Sequence, residues 1–86
     1  MMNIQELKEF FHTHLVPKKL YAINKNHSMR ICIAQCSDGW EVFFSDKKKD
    51  KVGTKHFVHE KDACEYMISQ IRIVMEQMYE LTWAVA

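Results

Sequence analysis

The chain has only two glycines and one proline in 86 residues. That scarcity excludes collagenous and low-complexity architectures and leaves little room for long irregular loops. No apolar run approaches the roughly 20 residues needed to span a bilayer. The N-terminus reads as an amphipathic helix rather than a signal peptide, so a cytoplasmic location is expected. Charge of one sign is also lacking. A net charge of +1 argues against an avid nucleic-acid binder, which carries a clear basic surplus. No glycine-rich phosphate loop, internal repeat or recognisable cofactor motif occurs, and no cofactor or metal is expected. Cysteine is sparse and odd in number: Cys32, Cys36 and Cys64 are expected to be reduced thiols.

What is present suits one small globular domain over residues 1–86. Apolar residues make up 48% of the chain, enough for one modest core. The charge is segregated. Residues 17–30 carry Lys18, Lys19, Lys25 and Arg30 with no acid, whereas residues 63–86 carry Glu65, Glu76 and Glu80 against Arg72.

Hydrophobic spacing predicts the elements. Ile4, Leu7, Phe10, Phe11 and Leu15 form a helical stripe over 3–14, with Asn3 and Glu6 as a capping box and Pro17 ending the helix. Residues 19–23 and 28–36 read as strands around the turn formers 24–27. Asp38-Gly39 predicts a hairpin into a strand over 40–45. A charged loop over 46–53 and a short fourth strand over 54–58 follow. From about residue 60, Cys64, Met67, Ile71, Val74, Met78, Leu81 and Val85 predict a helix to about residue 83, with Ile68 and Met75 widening the stripe. The expected fold is therefore α+β, ordered α-β-β-β(β)-α. It is an antiparallel meander with an N-terminal and a long C-terminal helix packed on one face.

Two features are left over from that packing. The second helix is longer than the strands it covers and should overhang the sheet or kink, exposing Met78, Tyr79, Leu81 and Trp83. Tyr66 and Ile73 lie behind its apolar stripe, and Cys32, Ala34 and Phe43 make the outward sheet face unusually apolar. These are candidate contact surfaces, with Tyr66, Ile73, Glu76, Glu80 and Phe43 as candidate partner-binding residues.

The candidate chemistry is thin. His12 and His14 stand i, i+2 on a helix, on opposite sides, and suit the negative helix C-terminus better than a shared ion. Cys32 and Cys36 lie about 13 Å apart along a strand, too far for one zinc or one disulfide. Cys64 falls on the buried stripe. His56 and His59, near Glu60 and Asp62, could in principle do acid–base work but read as surface-loop residues without a nucleophile. Lys47, Lys48, Lys49 and Lys51 form a solvated basic loop; with Trp40 and Phe43 it defines a nucleic-acid alternative. No enzymatic activity is expected.

One resemblance emerges from residues 38–66. Gly39-Trp40-Glu41-Val42-Phe43-Phe44-Ser45-Asp46, a loop, and then Phe57-x-x-Glu60-x-x-Ala63-Cys64-x-Tyr66 resemble small immunity proteins of bacterial polymorphic-toxin systems, including contact-dependent growth inhibition. Lys47-Lys48 replace an Arg-Gly of that pattern, and Met67 replaces an aromatic. The resemblance implies an inhibitor that binds and neutralises a cognate toxin, commonly a nuclease, by occluding its active site. The acidic helix or the outward sheet face would make the contact. Its matched residues Trp40, Val42, Phe44, Phe57 and Ala63 are expected to serve packing. The alternatives are a homodimeric scaffold built on the C-terminal overhang, and the nucleic-acid module.

Overall fold

Asn3 caps the first helix as its sequence predicts, accepting the Glu6 N–H at 2.8 Å. In the computed structural model, which describes residues 2–78, α1 (Ile4–Thr13) is followed by a 3-10 turn (Lys18–Leu20) and β1 (Tyr21–Ile23). Then come β2 (Arg30–Cys36), β3 (Gly39–Ser45), β4 (Lys51–Phe57) and α2 (Glu60–Met78). Tyr79, Glu80, Leu81, Trp83 and Val85, with the predicted helix end near residue 83, lie outside the described residues.

The end of α1 is set by more than Pro17. Leu15 takes a left-handed φ of 55°. Its N–H donates to the His12 carbonyl at 3.1 Å, and the Val16 N–H donates to the Phe11 carbonyl at 2.9 Å. This is a Schellman cap with leucine where glycine is usual. It turns Val16 inward to join Phe11 in the core.

The sheet order is β1-β2-β3-β4. The expected antiparallel meander holds for β2, β3 and β4. The first strand departs from it: β1 pairs parallel to β2, with Tyr21 opposite Ile31 and Ile23 opposite Ile33. Parallel neighbours normally need a crossover of a dozen or more residues. Here β1 has three residues, a rise of roughly 10 Å, so the short connection 24–29 suffices for the return. Asn24, left-handed at φ 59°, begins the reversal and donates its N–H to the Ile33 carbonyl at 2.7 Å.

The fourth strand begins earlier than expected, at Lys51. Asp46 makes this possible by accepting the Lys48 and Asp50 N–H groups at 2.8 and 2.9 Å. The lysine run thereby contracts into a tight turn. The pairing slips between Val42 and Phe44, where Gly53 at φ 64° supplies the left-handed residue of a β-bulge.

Both helices cover one face of the sheet. Leu7 and Phe11 of α1 share a core with Ile33 and Val42 of the sheet and with Ala63, Cys64, Met67, Ile71 and Met75 of α2. The two helices also meet at their starts. The Ile4 N–H donates to Glu60 Oε2 at 2.8 Å, so one carboxylate serves the N-termini of both helices.

The outer sheet face is not open. Connection 24–29 lies over it. Asn26 donates to the Lys49 carbonyl at 2.9 Å and accepts from Ser45 Oγ, while the Cys32 thiol points to the His27 carbonyl at 3.7 Å. Ala22, Cys32 and Phe43 form a second, smaller buried cluster beneath it. Among the described residues, no helix is long and apolar enough to cross a membrane.

Candidate partner-binding surface

The structure rearranges the expected contact residues. Phe43 is only 2% exposed. It lies under Lys51, whose Nζ is 5.0 Å from the ring centroid, so it presents no surface to a partner. Strand alternation does place Phe43 on the outer face with Cys32, but the covering connection is invisible to strand periodicity. Tyr66 does not stand behind the helix. It is half-buried against Phe57, with ring centroids 5.3 Å apart, and Lys55 Nζ lies 5.8 Å from its ring. Ile73 is 44% exposed and Glu76 is exposed. Glu80 lies outside the described residues.

Several exposed apolar side chains gather in a groove between the sheet and the far end of α2. Its walls are Leu20, Met29, Ile31, Phe44, Val74 and Met78, joined by Lys19 and Arg30, and its volume is about 530 Å³. The exposure of the two methionines has a local cause. Met29 is 54% exposed and left-handed at φ 60°. Its amide donates to the Ser45 carbonyl at 2.6 Å, so the backbone turns sharply into β2 and leaves the side chain outside. Phe44 lies on the helix-facing side of β3, yet it remains 38% exposed, a departure from the packing role expected of it. Met78 continues the angular stripe of Cys64, Met67, Ile71 and Met75, yet it is 73% exposed. At about 100° per residue it faces the same way as they do; the helix has run past the side chains that cover Met75. Arg30 is tied to the 3-10 turn, donating to the Lys18 and Tyr21 carbonyls at 3.0 and 3.4 Å.

The groups singled out for chemistry fall in separate places. His14 stacks on Phe10 with centroids 4.0 Å apart, and its Nδ1 is 2.9 Å from the Phe10 carbonyl. It thus closes the helix end. Cys64 is buried in the core, and that burial, reinforced by Glu60, Glu65 and Glu6, pushes its thiol up to about 11. Cys32 is raised by burial too. In the lysine loop, Lys51 pairs with Glu41, while Trp40 packs against the main core. The two aromatics of the nucleic-acid alternative are therefore committed to packing. His56 does not join Glu60 and Asp62. Its Nε2 lies 3.0 Å from Asp38 Oδ1, beside Cys36, a grouping that the sequence separation concealed.

Comparisons of the chain with family models, with curated proteins and with solved structures found no match.

Proposed function

We propose that this protein acts by contact, as an inhibitor that seats an apolar element of a cognate bacterial toxin in the Leu20–Met29–Phe44–Met78 groove. The observation that carries this reading is the groove itself, an apolar concavity held open on a small domain. Such surfaces mark binding sites in soluble proteins. The groove offers a flexible methionine on either side and an aromatic wall, a composition suited to gripping an aliphatic or aromatic anchor. The immunity-protein resemblance of residues 39–66 supplies the partner class, a toxin with nuclease activity neutralised in the cytoplasm. Glu65 and Glu76 on α2 would add charge complementary to a basic nuclease surface and speed encounter.

The test is a paired variant, Met29→Asp with Met78→Glu. Aspartate tolerates the left-handed backbone at position 29 better than methionine does, and both side chains are largely exposed, so the fold should persist. Wild-type protein should co-purify with the product of the neighbouring upstream gene and rescue cells from its toxicity. The paired variant should melt no lower and should do neither. Full rescue by the paired variant would refute the assignment of the groove. A wild-type dimer in light scattering that dissociates in the paired variant would instead mean that a second copy fills it.

A further inference from the structure

We infer that Cys36, Asp38 and His56 form a binding site for a divalent transition-metal ion of borderline softness, with Zn²⁺ the best fit. This inference stands apart from the toxin-inhibitor reading and would survive its failure.

The three ligands come from different parts of one rigid hairpin system. Cys36 is the last residue of β2, Asp38 lies in the two-residue turn, and His56 is on β4. The ladders fix their positions: Cys36 pairs with Gly39, and Glu41 pairs with His56. Gly39, opposite Cys36 on the middle strand, carries no side chain, and Glu41, opposite His56, is paired with Lys51. The thiol, carboxylate and imidazole atoms all lie within 4.8 Å of one another. Among the described residues, this is the one place where three such groups converge.

The spacing suits tetrahedral coordination. Zinc–ligand bonds of about 2.3 Å to sulfur and about 2.0 Å to nitrogen or oxygen give ligand separations of about 3.5 Å for S to O and about 3.3 Å for N to O. The observed separations are 3.6 Å from Cys36 Sγ to Asp38 Oδ1 and 3.0 Å from His56 Nε2 to Asp38 Oδ1. A thiolate–imidazole–carboxylate set excludes Mg²⁺ and Ca²⁺, which want oxygen alone, and suits Zn²⁺ or Co²⁺. Asp38 Oδ1 already accepts hydrogen bonds from both of the other groups, His56 Nε2 and the Cys36 thiol. Binding would replace those hydrogen bonds and release the thiol proton. Cys36 is half-buried and the other two ligands are exposed, which leaves the fourth position open to water or to a ligand from a bound protein.

The experiment uses the full chain, reduced and stripped of metal, titrated with Co²⁺. One equivalent should produce a thiolate-to-cobalt charge-transfer band in the near ultraviolet, and Zn²⁺ should erase it by displacement. Cys36→Ser should abolish the band, and His56→Gln should weaken binding at least tenfold. Cys64→Ala should leave it intact. Zn²⁺ should also slow alkylation of Cys36 in the wild-type protein, a readout independent of any variant. Absence of the band at excess Co²⁺, its survival in Cys36→Ser, or Co²⁺ binding without thiolate absorption would each overturn the inference.

Discussion

Replacing Glu60 with alanine should cost about 2 kcal/mol, a large share of the stability of so small a domain. The carboxylate accepts the Ile4 N–H at 2.8 Å across 56 residues of sequence. A hydrogen bond to a charged group contributes about 1.5–3 kcal/mol, and partial exposure of Glu60 places it toward the lower end. Its charge at the start of α2 adds about 0.3–1 kcal/mol, while the better helix propensity of alanine returns a few tenths. Glu60→Gln keeps an acceptor but removes the charge, so it should cost about 1 kcal/mol. Urea denaturation measures both, and for a domain of this size the alanine variant should melt roughly 8–16 °C lower. The Ile4 amide should also lose hydrogen-exchange protection. The difference between wild type and Glu60→Gln should shrink in molar salt, where the Debye length falls to about 3 Å. A loss under about 0.5 kcal/mol for Glu60→Ala, or equal losses for the two variants, would refute the idea that this carboxylate joins the two helix starts.

Three more outcomes are expected. A Cβ at Gly39, where φ is 151°, would lie 2.2 Å from the Phe57 carbonyl oxygen. Gly39→Ala should therefore cost about 3 kcal/mol, whereas Gly53→Ala, with open space around it, should cost only about 1 kcal/mol of left-handed strain; urea midpoints that do not separate the two would count against the crowding at Gly39. Leu15→Gly should raise stability by up to about 1 kcal/mol by relieving the left-handed cap, and a lower melting temperature would contradict that cap. Finally, Cys64 keeps its proton to about 11 while an unfolded thiol ionises near 9.0. Unfolding across that window releases a proton, so stability falls as pH rises through it, by about 3 kcal/mol in all; the fall should be smaller in Cys64→Ala, and parallel pH profiles would exclude the effect.

The order of elements was legible along the chain because each carries a local signal. Asn3 had a backbone amide to accept three residues on, and Asp38-Gly39 specified a turn that only glycine could complete. The stripe through Cys64, Met67 and Ile71 demanded a helix with one buried side. Those signals act over a few residues and need no knowledge of what packs where. The parallel pairing of β1 carried no such mark. It depends on a three-residue strand short enough for connection 24–29 to return across the outer face, and that same connection buries Phe43, which alternation alone left exposed. Tyr66 likewise read as outward until Phe57 was there to receive it.

The candidate sites divide the same way. Periodicity and composition alone determined a small α+β domain with two helices on one sheet face and a second helix too long for the strands beneath it. Local geometry dictates those features, and it is written in adjacent residues. Only the tertiary structure decided that Met29 and Phe44 meet Val74 and Met78 across a groove, or that Cys36 and Asp38 meet His56 at one end of the sheet. Such encounters depend on strand register and connection path, which are set by the summed packing of the whole domain rather than by any stretch of the chain.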